Sequence, residues 1–189
     1  PVNTGWNKGA FREIKLQLDP PRPLQRSPCV VHLFELPLEK LFVYHDGPTT
    51  GPESWSGPIG KLIVGKVHTF PVVAFDPNPN PDFPQFDDQL VSILTTDQKY
   101  LIKMCRGVIE GNIDTDLQKS MPGVATSVRF LTTGARILRV YVSTPQPSYE
   151  LTRLATYVIT CYAPAWLIAK HHPKMANGPR HFLQLAKFQ

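Results

Sequence analysis

Acid pairs, cysteine–histidine pairs and a spaced row of arginines are the features of this 189-residue chain that could carry chemistry. Cys29 and His32 stand three apart and His171 adjoins His172, but no second Cys/His pair follows at a zinc-like spacing. Structural zinc takes four nitrogen or sulfur ligands, so a buried cysteine and an ordinary histidine are the favoured reading. Cysteine–histidine nucleophilic catalysis needs an adjacency in space that spacing alone does not supply. Asp87-Asp88, and Asp114 with Asp116, are the acidic clusters. Two-metal chemistry on nucleic acid needs several acids converging on Mg2+ or Mn2+. Here the first cluster closes a proline-rich stretch and the second begins a short connection, so both read as turn or cap residues. The stretch GPTTGPESWSGPIGK (47–61) lacks the GxxxxGK[ST] pattern of a phosphate cradle and reads as a loop.

The arginines are more specific. Arg129, Arg136 and Arg139 are spaced by seven and three, which places them on one helix face. Lys119 precedes them, and Lys170, Lys174, Arg180 and Lys187 follow. A row of arginines opposite an apolar stripe is what contact with a phosphate backbone would use. It is also what a soluble amphipathic helix carries on its wet side.

Helices must position these groups. Thr95 and Gln98 have capping-box spacing, Tyr100, Leu101, Met104, Cys105, Val108 and Ile109 follow at helical intervals, and Gly111 is a stop. Thr126 or Ser127 can cap a second helix with Val128, Leu131, Ala135, Leu138 and Val142 on one face, weakened at Gly134. Ser148 starts the longest candidate, carrying Leu151, Leu154, Val158, Cys161, Ala165 and Ile168. Pro164 should kink or split it near Ala163. Gly178-Pro179 opens a fourth. The front half is limited to short elements by its prolines, 14 in residues 1–84 against 6 in the remainder. PVVAFDPNPNPDFPQFDD (71–88) reads as an extended linker.

The expected fold is therefore mainly α with a short β element. It divides into a proline-rich unit at 1–70, a linker at 71–93 and a helical unit at 94–189. Residues 1–84 hold 8 Lys/Arg and 8 Asp/Glu, whereas residues 119–189 hold 9 Lys/Arg and one acid, Glu150. A basic back half favours a polyanionic partner through counterion release. The three scattered cysteines are not a disulfide framework and read as reduced and intracellular. No apolar run approaches the ~18 residues of a membrane span, so no membrane partner is expected.

Several stretches, taken in order, resemble a known group. They are VNTGWNKGA (2–10), PLQRSPCVVHLFELPLEKLF (23–42), DGPTTGPESWSGPIGKL (46–62), LTTDQKYLIKMCRGV (94–108), VRFLTTGARILRVYVST (128–144) and the segment from VITCYAPAWLIAKHHP (158–173) to NGPRHFLQLAK (177–187). The series resembles transposable-element-derived proteins of animal genomes, related to hAT-type transposases. Those enzymes have an RNase H-like catalytic core interrupted by a helical insertion. Cys29-Val30-Val31-His32 is similar to their Cys-x-x-His motif, and Arg129-Phe130 is similar to the insertion's Arg-Trp signature, with phenylalanine in place of tryptophan. The resemblance implies a partial RNase H-like segment, then an insertion-type domain, and a nuclear location. It also implies a catalytic aspartate in an Asp-Gly-Thr element just before the VNTG stretch, where this chain starts at Pro1. Glu150 has no motif around it, so no acidic triad is assigned.

These readings lead to one main expectation and two alternatives. The main one is a catalytically incomplete transposase-derived domain that binds DNA backbone or a partner chain, including a second copy. Arg129, Arg136, Arg139, Lys119, Lys170 and Lys174 would make the phosphate contacts, with Cys29 and His32 bracing the strand-to-helix junction. No cofactor is expected in this chain, and Mg2+ or Mn2+ only in a complete active transposase. The first alternative is the middle section of such an active metal-dependent transposase or nuclease. The second is a processed viral capsid protein, which as a jelly roll needs about eight strands.

Overall fold

The computed structural model describes residues 30–51, 54–125 and 130–171, together with Glu13, Leu16 and Gln17. The described chain is mainly helical. Helix α1 (Val30–Asp46) turns Leu38, Phe42 and Asp46 inward at four-residue steps. A two-stranded antiparallel hairpin follows, β1 (Thr49–Gly51) with β2 (Ser54–Trp55), pairing Thr49 with Trp55 and Gly51 with Ser54. Among the described residues this hairpin is all the strand there is, far from the strand content of a jelly roll. Helix α2 (Pro58–Val64) begins on a proline, the residue that a first helical turn tolerates best. Thus 47–61, expected as a loop, is a hairpin joined to the first turn of a helix.

The cap signals read in the sequence operate as expected. Asp87 accepts from the Leu90 N–H at the start of α3 (Asp88–Ile93), and Asp114 accepts from the Leu117 N–H at the start of α5 (Thr115–Lys119). Between them α4 (Thr96–Glu110) opens with the full Thr95/Gln98 capping box. It closes on Gly111 at φ +76°, a left-handed conformation that favours glycine. Helix α6 spans Phe130–Tyr141; the proposed caps Thr126 and Ser127 lie outside the described residues, as does Gly178-Pro179. Ser148 caps α7 (Tyr149–Tyr157).

The α-helix is interrupted just before Pro164, with the break at Ala163 as expected, but the chain stays helical across it. A π turn at Val158–Tyr162 links α7 directly to α8 (Ala163–His171), with the Ala163 N–H bonded to the Val158 carbonyl five residues back. The wider turn accommodates a residue that has no N–H to offer.

Helix α6 is the hub, buried at Phe130, Leu131 and every residue from Thr133 to Tyr141. Helix α4 forms the most extensive pairing with it, and α7, α2 and α1 pack on its other sides. The buried apolar residues make one continuous cluster, from Leu38 and Phe42 of α1 through Met104, Ile137 and Leu138 to Leu167 of α8. The boundary expected between front and back units is therefore not a boundary in the core. Nor is 71–93 a free linker: Asp88–Ile93 is helix α3, and the proline-rich part before it is held down. It is extended, but it is strapped to the helices: the Val73 N–H bonds to the Val142 carbonyl, the Asn78 N–H bonds to the Val108 carbonyl, and Phe83 is buried. Proline forbids helix there without forbidding packing.

Candidate functional site

Burial of α6 decides the fate of the arginines. Arg136 and Arg139 lie on one helix face, as their spacing requires, but that face points into the molecule, and Arg139 is only 1% exposed. Arg136 donates from Nε to the Gly123 carbonyl and from Nη1 to those of Ile63 and Gly65. Arg139 donates from Nε to the Val67 carbonyl at 3.3 Å and from Nη2 to those of Phe70 and Gln118, at 2.8 and 3.1 Å. The expectation that these two arginines touch phosphate is corrected accordingly. Their guanidinium groups donate to six backbone carbonyls, and Nη1 of Arg139 is buried with no hydrogen-bond partner among the described residues. The planar five-donor fork of arginine suits that task, since irregular backbone leaves its carbonyls pointing in several directions.

Burial pulls the pKa of both guanidinium groups down from the usual range, and nearby Tyr100 opposes the change. Burial likewise pushes the Tyr100 phenol up, with Arg139 and Arg136 pulling it back.

Of the other expected contact residues, Lys119 is exposed at the end of α5. Arg129, Lys174 and Cys29 lie outside the described residues. His32 and Lys170 sit on α1 and α8, where the backbone alone is described. The described structure therefore does not bring the expected phosphate-binding row together.

What the two arginines do assemble is a surface. Arg136 draws 63–65 against Gly123, and Arg139 draws 67–70 against Gln118, so two irregular segments run side by side over the hub helix. Lys61, Lys66 and Lys119 are exposed on these segments, with Val64, Met121 and Val124 among them. No acid occurs in 61–75 or in 117–125; Asp116 borders the second stretch, and Asp97 lies beside Gly123. Lys61 and Lys66 escape a sequence search for basic helices because one lies on a short helix and the other in a loop of the charge-neutral front half.

A second constellation was also invisible as spacing. Asp46, 5% exposed, accepts at 2.7 Å from the N–H groups of both Ile59 and Gly60, closing the start of α2. A Cβ on Gly57 would lie 1.8 Å from the Asp46 carbonyl oxygen, and one on Gly60 would lie 2.6 Å from Trp55. The two glycines three apart around Pro58 were the available signal. Burial raises the Asp46 pKa, while the Gly60 and Ile59 donors and Lys61 act in the opposite sense.

A divalent cation of the kind implied by the transposase resemblance would need converging carboxylates. Asp46, Asp87 and Asp114 are each occupied by helix-start N–H groups, and they do not fit a shared cation. Among the described residues no group of three or more His, Cys, Asp or Glu side chains could hold a metal, and no helix is long and apolar enough to cross a membrane. Cys105 is buried, with its thiol pKa pushed well up by burial, and Cys161 is exposed. Comparison with protein-family models, curated proteins and solved structures finds no match.

Proposed function

We propose that this chain is the binding portion of a transposase-derived protein and that it holds duplex DNA by its phosphate backbone, through Lys61, Lys66 and Lys119. The single observation that carries the reading is the arginine clamp, which holds two acid-free segments side by side with these three lysines exposed on them. Arg136 and Arg139 act as positioning residues: they shape the face and do not touch the ligand. Contacts of this kind are independent of base sequence, because phosphate oxygens carry no base information. In this reading residues up to about 70 correspond to the RNase H-like portion and the later helices to the insertion. The chain supplies no catalytic residue of its own.

The test is fluorescence anisotropy with a labelled duplex across a salt series. Charge reversal at Lys66 and Lys119 together should weaken binding and flatten the slope of log K against log salt by about two, near 0.9 for each phosphate that is no longer neutralised. Duplex binding that is undetectable at low salt, or that is unchanged by the reversal, overturns the proposal.

A further inference from the structure

Between the proline-rich strap and α4 lies an open cleft of about 320 Å³, near the lower end of the roughly 300–1,000 Å³ range of small-molecule sites. Hydrogen bonds fix its strap wall. The Asp82 N–H bonds to the Asn80 side-chain oxygen at 3.2 Å and the Phe83 N–H to the Asn80 carbonyl at 3.1 Å, while the Asn80 amide holds the Ile159 carbonyl. The other wall is the end of α4. Ile109 and Glu110 lie three and four residues after Arg106, so all three share a helix face, and all three line the cleft.

These walls combine an apolar floor with two opposite charges. Phe83 is buried and Ile109 half-buried. Arg106 is half-buried and Glu110 exposed, and neither side chain makes a hydrogen bond or an ion pair with any described residue, the other included. A cation one turn before an acid is the weaker order for pairing along a helix, so both groups stay open to a third party. A lone anion entering the cleft would meet Glu110, and a lone cation would meet Arg106. A zwitterion satisfies both.

We propose that this cleft binds a free apolar α-amino acid. The ligand carboxylate takes the planar fork of Arg106 in two parallel hydrogen bonds. Its ammonium donates to Glu110, and its side chain lies over Phe83 and Ile109, where an aromatic ring gains a ring contact as well. Nucleic acid fits the cleft poorly, because Glu110 and the exposed Asp82 would face its phosphates. The cleft shares no residue with the lysine face, so its test does not depend on DNA.

Amide shifts of the isotope-labelled chain, followed by NMR during titration with L-phenylalanine, should move at 80–85 and 106–110. The Kd should be on the order of 1 mM, as a ligand of this size gives. Phenylpropionate, which lacks the ammonium, and phenethylamine, which lacks the carboxylate, should each bind about tenfold more weakly or worse. Arg106→Gln should weaken L-phenylalanine by about tenfold or more. Glu110→Gln should weaken L-phenylalanine and tighten phenylpropionate, a reversal that a merely apolar groove does not give. Neither side chain holds another residue, and unchanged circular dichroism checks that both variants fold. Cleft signals that stay still well above the expected Kd overturn the proposal. So does binding that ignores Arg106→Gln, or a Glu110→Gln variant that treats the two ligands alike. N-acetyl-phenylalanine amide, uncharged like a segment of peptide, overturns it too if it binds as tightly as the free amino acid.

Discussion

Asn80 donates from its side-chain amide, at 3.0 Å, to the Ile159 carbonyl, the acceptor that Pro164 leaves open. In the π turn the carbonyl of Val158 takes the N–H of Ala163, so Ile159 would next be served by residue 164, which has no N–H. The strap residue supplies the donor that the helix lacks. The neighbouring Asn78 amide donates to the Thr156 hydroxyl at 2.8 Å, so two asparagines of the proline-rich segment read the same stretch of helix.

This pairing predicts coupling. Asn80→Ala should cost about 1–3 kcal/mol in denaturant unfolding, since it strands a part-buried carbonyl. Combined with Pro164→Ala, which restores a backbone donor, its cost should fall by about 1 kcal/mol. Strict additivity in the double-mutant cycle would show that the two residues do not share the carbonyl.

The clamp makes a prediction of opposite kind for the cations of the two classes. Arg139→Ala should destabilise by about 3 kcal/mol or more, because three carbonyls lose a hydrogen bond, the Val67 carbonyl keeping only that from the Phe70 N–H, and a cavity opens in the hub. Arg139→Lys should recover only part of that, since one ammonium cannot reproduce the fork. Lys119→Ala should stay within about 0.5 kcal/mol of the unaltered chain. Thermal or denaturant melts check all three, and a silent Arg139→Ala would remove the positioning role.

Gly57→Ala should be as damaging as a core substitution, at about 2–4 kcal/mol. The added methyl meets the backbone and carboxylate of Asp46, neither of which can move without opening the start of α2. A melt that matches Gly51→Ala, where the nearest atom is a side-chain carbon at 3.8 Å, would contradict this.

Acid titration should separate two carboxyls by sign. The raised Asp46 pKa means that the folded chain keeps this proton to higher pH than the unfolded chain does. Asp46 therefore lowers stability as pH rises from about the unfolded value of 3.8 through its folded value. Glu150 runs the other way, held low by its own backbone N–H and the Ser148 hydroxyl, so its contribution is present above about 4.5 and is lost as pH falls through the folded value. Carboxyl carbon shifts followed by NMR should place the Asp46 midpoint above 3.8 and that of Glu150 below 4.5.

Local chemistry was legible in the residue order. Thr95 with Gln98, Gly111 and Ser148 mark the helix ends they were expected to mark, and Asp87 and Asp114, read as turn or cap residues, cap two short helices that were not expected, because a cap satisfies N–H or C=O groups within a few residues of itself. The mainly helical character followed from the same signals and the apolar spacing. Tertiary structure alone decided which way a face points. The spacing of Arg136 and Arg139 puts them together on α6, but whether that face meets water depends on 63–70 and 118–123 arriving over it. Those segments bring six backbone carbonyls within reach of the two guanidinium groups. For the same reason the proline-rich 71–88 reads as a linker until Asn80 meets the Ile159 carbonyl of the π turn. Periodicity reports one element at a time, whereas burial of an arginine or ordering of a strap depends on hydrogen-bonding partners some 70 to 80 residues away in the chain.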